Sequence, residues 1–314
     1  MRPILTTLHF PRRPAWAARA RMLDRDAMSP QRLLRQLLQQ ASPDDVVVLD
    51  GGIGARDLYL DRVAATLLAR RRDPPTVLMT DSTWSPGRGR RAALRALDGP
   101  RTHYCVLSSS ERESFPRHWG VDPERVSLTP FYWTLPDDEP PALSEGNGVF
   151  AGGDSLRDHE VLVSAAADVS APVTIATRRS RPASVPDNVQ WGAVSPEAFL
   201  EGLRSSAVVV VPMLPGLVRS AGQQTYLNAM ALGKVVVVSD VPGARDHVVD
   251  GETGLIVPAG DSRALAEALQ WALDPANGPS VREMGVRARE VALTTASPDR
   301  YVERLLEVVD SLPR

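Results

Sequence analysis

Short apolar runs alternate along this chain with polar loops and with stretches of helical periodicity. Five of the runs are rich in Val, Leu, Ile or Met, as expected for parallel strands that are buried on both faces: residues 46–49, 76–79, 173–176, 208–211 and 235–238. This regular strand–loop–helix order predicts an α/β fold, with parallel sheets covered by helices on both sides.

The segments between the runs place apolar residues at helical spacing. Leu33 and Leu37 share one face of a predicted helix, and a last helix is predicted over residues 298–312. Asp261 directly precedes a helical segment at residues 262–273, so we expect its carboxylate to cap that helix.

A break in the pattern divides the chain into two domains. Residues 136–148 hold prolines, acidic residues and glycines without any apolar periodicity, which is typical of a linker. We predict an N-terminal Rossmann-like domain at residues 1–137 and a C-terminal one at 147–297. The segment 298–314 is predicted to be a helix that crosses back to the first domain.

Composition narrows the class of protein. The chain has 314 residues, a formal net charge of -2 and a pI of about 6.2, which argues against a dedicated nucleic-acid binder. Cys105 is the single cysteine, so no internal disulfide or cysteine metal site is expected. Without a long apolar run, a cytoplasmic location is expected. Neither a metal site nor a cofactor is predicted, since the five histidines are scattered.

A pair of glycines follows the first strand of the C-terminal half. Gly152 and Gly153 let the backbone approach a phosphate closely, and Arg157 adds a cation just beyond them. An ordinary tight strand–helix turn explains the glycines equally well. The similar loop at residues 51–57 fits such a turn better, and no P-loop lysine follows it.

The most informative stretch is residues 219–234. It follows a buried strand, and ligands of open α/β sheets bind at the carboxyl ends of strands. Gly222, Gln223 and Gln224 open the next helix, and Asn228 lies four residues beyond Gln224 on the same side. This pattern favours an anion-binding helix start over a purely amphipathic helix.

Residues 149–273 resemble the C-terminal half of GT-B glycosyltransferases of the family-4 type, also called glycosyl transferases group 1. The resemblance rests on five segments in the family's order: FAGGDSLRDHEVL, NVQWGAV, VVVVPMLPG, QTYLNAMALGKVVVVSDVPG and DGETGLIVPAGDSRALAEAL. It implies two Rossmann-like domains that face each other across a cleft. It also implies transfer of a sugar from a nucleotide-diphospho-sugar, linked to UDP, GDP or TDP, to a hydroxyl-bearing acceptor, without a metal and with retained configuration.

The resemblance also implies which residues bind the donor: Gly152, Gly153, Arg157, Arg178, Gly222, Gln223, Gln224, Thr225 and Asn228. The family often has two glutamates in the spacing E-x7-E, but Ser220 and Asn228 occupy these positions here. The Asn228 amide can still bond ribose hydroxyls. Ser220 is expected near the transferred sugar, where it replaces a carboxylate poorly. The alternative is therefore a catalytically silent GT-B homologue that acts as a binding or scaffold subunit.

Asp81 follows the strand at residues 76–79 and is the candidate general base for the acceptor hydroxyl, although a loop or capping role explains it as well. Asp50 is likewise either a candidate general base or an aspartate with a loop or capping role. The expected partners are a nucleotide sugar and a small-molecule or lipid-linked acceptor, and no nucleic acid. Peripheral contact with an anionic membrane is considered for the basic residues around Arg90, although a solvated helix face is favoured.

Overall fold

The computed structural model describes residues 2–10, 12–52, 60–136 and 146–313. They divide into two compact units. The first comprises Met1–Pro130 and Asp299–Arg314, and the second comprises Phe131–Pro298. Most of the predicted linker, residues 137–145, and most of the loop at 51–57 lie outside the described residues.

The first unit contains a parallel sheet in the order β2-β1-β3-β4-β5-β6. Its strands are β1 (Ile4–Thr6), β2 (Ala20–Met22), β3 (Val46–Asp50), β4 (Thr76–Thr80), β5 (Thr102–Val106) and β6 (Val126–Leu128). Its helices are α1 (Pro14–Ala17), α2 (Pro30–Gln40), α3 (Leu60–Ala69), α4 (Arg88–Leu97), α5 (Ser109–Trp119) and, apart from its first residue, α11 (Pro298–Ser311).

The second unit contains another parallel sheet, in the order β12-β11-β10-β7-β8-β9. Its strands are β7 (Val149–Gly152), β8 (Val173–Ala176), β9 (Val189–Gly192), β10 (Val208–Val211), β11 (Val235–Ser239) and β12 (Leu255–Val257). Its helices are α6 (His159–Ala166), α7 (Pro196–Ser205), α8 (Gln223–Ala231), α9 (Ser262–Leu273) and α10 (Gly278–Thr295). The predicted α/β fold with two Rossmann-like domains is confirmed.

The valine runs of the second sheet serve two apolar cores, one on each face. In β10, Val209 and Val211 join one core, and Val208 and Val210 join the other. Because successive side chains of a strand point to opposite faces, a strand that is covered on both sides must be apolar at every position. Val208–Val211 are accordingly at most 1% exposed.

Local signals set where helices begin. The carboxylate of Asp261 accepts a hydrogen bond from Ala264 N, as predicted, and Ser108 caps α5 through Glu111 N. The prediction missed β2 and α10. The sequence of β2 has no apolar run, and α10 includes Gly285, where a Cβ would lie 2.3 Å from the carbonyl oxygen of Gly233.

The segment before the predicted linker and the last helix each make contacts within one unit. Trp133 N donates to Ala296 O at 3.0 Å, and residues 131–135, which the prediction assigned to the first domain, group with the second unit. In α11, Asp310 accepts two hydrogen bonds from Arg19, and Tyr301 contacts the ring of Phe10. The last helix therefore packs on the first unit.

Candidate functional site

The loop after β7 contains two adjacent glycines that are required for different reasons. Gly153 is required by its backbone conformation, and Gly152 is required by the packing around it. Gly153 has φ 104°, in the region that favours glycine. At Gly152, a Cβ would lie 2.2 Å from Cε2 of Phe199. The resemblance assigned Gly152 to the donor diphosphate, but its missing side chain leaves room for Phe199 from α7. Only Gly153 has a conformation that a ligand-approaching turn needs.

Arg157 connects this loop to the start of α8. Its Nε donates to Gly152 O at 3.0 Å, and Nη1 donates to Ser155 O at 3.1 Å. Its Nη2 donates to Thr225 Oγ1 at 3.0 Å, in the first turn of α8. The predicted donor residues Arg157 and Thr225 are therefore direct neighbours, on segments that are 68 residues apart in sequence.

The Arg157 guanidinium is a buried cation. The residue is 5% exposed, and burial lowers its pKa to about 10, an effect that the charge of Asp154 partly opposes. The group therefore stays protonated at neutral pH. Among the described residues, its hydrogen bonds go to carbonyl, hydroxyl and thioether acceptors and none goes to a carboxylate. Such a cation attracts an anion strongly, because the low dielectric around it screens little.

Helix α8 begins beside this cation. Its first residue is Gln223, and Gly222 at the N-cap has φ 85°. As a glycine, Gly222 has no side chain that could cap the helix. A Cβ on Gly222 would lie 3.3 Å from Arg157 Nη1 and 2.8 Å from Val211 Cγ1. The positive end of the helix dipole and a buried guanidinium thus meet at one point, which suits a phosphate.

We expect Gly222→Ala to lower the free energy of unfolding of the second unit. Alanine costs about 1–2 kcal/mol at a left-handed φ, and here its methyl also meets Val211. Gly216 is the matched control, because its φ is 72° and nothing lies within 4 Å of a Cβ. Denaturant unfolding should show a larger loss for Gly222→Ala than for Gly216→Ala. Equal losses would mean that the start of α8 does not need this close packing.

Asn228 and Gln224 both reach Thr134. Asn228 Oδ1 accepts Thr134 N at 2.6 Å, and its Nδ2 donates to Thr134 Oγ1 at 3.3 Å. Gln224 Nε2 donates to the same hydroxyl at 2.8 Å. The spacing prediction placed both side chains on one side of α8, and they do lie there. The Asn228 amide, however, is occupied by Thr134, so bonding ribose hydroxyls would require it to exchange partners.

Ser220 and Gln223 are 2% and 4% exposed, and Arg219 Nη1 donates to Ser220 O. The sugar contact expected of the Ser220 side chain would therefore need a rearrangement of the segment before α8. Arg178 differs from them, since its side chain is 84% exposed and its Nε contacts Asp154 Oδ2 at 2.6 Å.

Asp154 stays ionised beside Arg178. Burial alone would raise its pKa, but hydrogen bonds from Thr177 and from the backbone and side chain of Arg178 outweigh burial and lower the pKa to about 2. This carboxylate neutralises Arg178 and leaves Arg157 as the cation nearer the helix start.

His159 is a residue of this region that the sequence did not single out. Its Nε2 lies 2.7 Å from Gly153 O, and its ring meets Trp191 edge to face. Burial lowers the pKa of His159, so the neutral ring donates from Nε2 to the carbonyl. His159 therefore holds the glycine loop in place. Its position two residues after Arg157, at the start of α6, is the signal that could have found it.

Asp81 belongs to the first unit and follows β4 with φ 47°, which is uncommon for a residue other than glycine. Tyr301 Oη donates to its Oδ1 at 3.2 Å. Burial, followed by the negative charges of Asp50 and Glu111, raises the pKa of Asp81 to about 7, while the Tyr301 hydrogen bond opposes the shift. A carboxylate with this pKa changes protonation near neutral pH, as a general base must.

Neither a cluster of potential metal ligands nor a membrane-spanning helix occurs in the described ranges. In those ranges, no group of three or more His, Cys, Asp or Glu residues is arranged to hold a metal ion. Likewise, none of the described helices is both long enough and apolar enough to cross a membrane.

Known proteins resemble the chain most clearly in its second unit. Residues 157–275 match the family model described as glycosyl transferases group 1. Phosphatidyl-myo-inositol mannosyltransferase of Mycobacterium leprae is 38% identical over 92 residues, which are 29% of this chain and 24% of that protein. Trehalose synthase of Pyrococcus horikoshii is 35% identical over 89 residues, 28% of this chain and 20% of that protein. The chain thus aligns with less than a quarter of either relative.

Solved structures resemble the whole chain in fold. Sucrose-phosphate synthase from Thermosynechococcus elongatus superposes with a TM-score of 0.67 at 20% identity, over 90% of this chain and 77% of that one. Anabaena HepE in complex with UDP and glucose superposes with a TM-score of 0.68 at 14% identity, over 99% of this chain and 100% of that one. At these identities the likeness establishes the fold.

Proposed function

We propose, from the confirmed resemblance to GT-B glycosyltransferases of the group 1 type, that this chain transfers a sugar from a nucleotide-diphospho-sugar to a hydroxyl-bearing acceptor. The observation that carries the proposal is the buried Arg157 guanidinium beside the glycine N-cap of α8. Both features attract the diphosphate that links nucleoside and sugar in such a donor.

The reaction makes the diphosphate more negative as the bond to the sugar breaks. Arg157 and the dipole of α8 are fixed before the reaction begins, so they stabilise this charge without reorganising. Independence of a metal ion is proposed from the resemblance, and the Arg157 guanidinium would supply positive charge at the diphosphate. Gly153 and Thr225 flank Arg157, and Gln223 and Gln224 begin the helix, so we assign these residues to the diphosphate site.

Retention of configuration is proposed from the resemblance alone. In a retaining transfer of this kind, the departing phosphate oxygen takes the proton of the acceptor hydroxyl. Asp81 is the other candidate for that proton, because its pKa of about 7 suits a base at neutral pH. The acceptor is proposed to be a small molecule or a lipid-linked molecule, and the reaction is proposed to take place in the cytoplasm.

A catalytically silent homologue is the second candidate. The observation that favours it is the engagement of Asn228 by Thr134, at a position where the family often carries a glutamate. A silent protein would bind the nucleotide without consuming the sugar donor. Release of nucleoside diphosphate from nucleotide sugars, followed over hours with an excess of protein, separates the two functions.

We expect a nucleoside diphosphate to raise the melting temperature of the protein. A ligand at 100 times its Kd stabilises the folded state by about 2.7 kcal/mol, which corresponds to about 5–10 °C for a unit of this size. The measurement is a thermal-shift series with UDP, GDP, TDP and their sugars. UMP and inorganic phosphate serve as controls and should shift the midpoint less. No shift with any diphosphate would contradict the donor site.

A further inference from the structure

A cavity of about 440 Å³ lies in the first unit, between α3 and α4. Its volume falls within the range of about 300–1000 Å³ that is usual for small-molecule sites. The wall on α4 includes the small residues Gly89, Ala93 and Ala96 beside larger ones, and Trp84 and Trp119 also line the cavity. Most of the lining is apolar, so the cavity suits a hydrocarbon group.

The aromatic part of the lining is held firmly. Trp84 meets Trp119 edge to face at 5.8 Å between ring centroids, and both rings contact Phe115. Arg62 lies over the ring of Trp84, with its guanidinium carbon 5.0 Å from the ring centroid. Because these contacts fix the rings, the cavity is formed before any ligand enters, and little ordering accompanies binding.

The helix that bounds the cavity is strongly basic. The ten residues of α4 include four arginines and no acidic residue. Arg88, Arg90, Arg91 and Arg95 are all exposed, and Arg90 also lines the cavity. An occupant that complements both features has a hydrocarbon part and an anionic group beside it.

We propose that this cavity binds one acyl chain of an anionic membrane phospholipid, with the lipid phosphate against the arginines of α4. One inserted chain alone anchors a protein only weakly, whereas a chain together with a basic patch anchors it stably. The first unit contains both a cavity for the chain and a basic patch, because α4 lines the cavity and carries the four arginines. The site differs from the diphosphate site of the second unit, and it requires no sugar transfer.

Vesicle co-sedimentation tests the electrostatic half of the proposal. The full chain should bind vesicles of phosphatidylglycerol and should bind phosphatidylcholine vesicles at least about tenfold more weakly, since each arginine near an anionic surface adds to the attraction. Arg88→Gln with Arg95→Gln should weaken binding about tenfold. Arg32→Gln with Arg35→Gln on α2 removes the same charge elsewhere and should change binding little. Equal binding to both vesicle types, or none to either, would overturn the proposal.

Brominated acyl chains test the cavity itself, because bromine quenches the fluorescence of a tryptophan that it touches. Phosphatidylglycerol with brominated chains should quench the wild type. Ala93→Phe fills the cavity and should lose most of the quenching, measured at a vesicle concentration high enough for the arginines of α4 to keep this variant bound. Ala92→Phe adds the same group at an exposed neighbour outside the lining and should be quenched like the wild type. Equal quenching of the two variants would show that the chain does not enter the cavity.

Nucleotide thermal shifts on the same variants keep the two proposals apart. Ala93→Phe and the arginine variants of α4 should retain the wild-type shift with the diphosphates, because Arg157 and α8 lie in the other unit. Lipid binding without any nucleotide shift would contradict only the sugar transfer. A nucleotide shift without lipid binding would contradict only the lipid site.

Discussion

Replacing Arg157 by alanine is expected to weaken the binding of a nucleoside diphosphate by about 10- to 100-fold. The reason is that a charge-assisted hydrogen bond contributes roughly 1.5–3 kcal/mol, and Arg157 stays charged because its pKa is about 10. The affinity of the wild type and the variant is measured by isothermal titration with the diphosphate that gives the largest thermal shift.

Arg178→Ala is the matched control for this loss. It also removes an arginine near the glycine loop, but its side chain is 84% exposed and paired with Asp154. Solvent screens such a pair, so we expect less than about a threefold change in affinity. Arg157→Lys should fall between the two, since it keeps the charge but loses the planar fork that reaches Gly152 and Thr225.

The Arg157→Ala variant should remain folded, because two effects on stability oppose each other. The carbonyl groups of Gly152 and Ser155 lose a donor, but a buried cation without a carboxylate partner among the described residues is removed as well. Circular dichroism and the melting temperature without ligand establish that the fold is intact. Wild-type affinity in a folded Arg157→Ala protein would rule out Arg157 as a diphosphate ligand.

The strands and many helix starts could be predicted from the sequence because their causes are local. The valines of β10 and β11 follow one another without interruption, since each sheet face carries its own core. Asp261 caps the helix that begins at the next residue. Likewise, the start of α8 followed from the strand–loop–helix order. Its proximity to the glycine loop was implied only by the resemblance to GT-B glycosyltransferases.

The missed features depend on residues far away in the sequence. The engagement of Asn228 by Thr134 joins positions 94 residues apart, and no local pattern indicates it. Gly152 is required because Phe199 on α7 packs where a side chain would lie. A phosphate-binding loop would have the same Gly-Gly sequence, so the sequence alone does not separate the two causes.

Helix α10 was missed for a related reason. Its sequence contains a glycine and shows a weak apolar pattern, whereas its buried residues include Met284, Ala288 and Ala292. Gly285 allows its backbone to approach Gly233 closely. Tertiary packing, rather than periodicity, therefore stabilises this helix.

Asp81→Asn is expected to lower the rate of sugar transfer by about 10²- to 10⁴-fold if Asp81 takes the proton of the acceptor hydroxyl. In the wild type, the acid limb of kcat/KM should then lie at the pKa of Asp81, about 7, with the rate rising as the carboxylate ionises. The measurement is the pH profile of nucleoside diphosphate release in the presence of acceptor.

Asp50→Asn is a sharp control, because the charge of Asp50 helps to raise the pKa of Asp81. This variant should remain active, and the acid limb of its profile should move to lower pH. If Asp50→Asn abolished transfer while Asp81→Asn did not, the base would be Asp50. If both variants kept the wild-type profile, the departing phosphate rather than either carboxylate would take the proton.

Protein stability gives a second readout for Asp81 that needs no substrate. Because its pKa of about 7 in the folded protein exceeds the ordinary value of 3.8, the folded state holds a proton that the unfolded chain releases between these values. This contribution to stability is complete below about pH 4 and is lost as the pH rises through about 7. The Asp81 side chain is only partly buried, so solvent screens part of this effect. We therefore expect the wild type to lose about 2 kcal/mol of unfolding free energy between pH 4 and pH 8. Denaturant unfolding of Asp81→Asn at pH 4 and pH 8 should lack this loss. Identical pH dependence in both proteins would show that folding does not raise the pKa of Asp81.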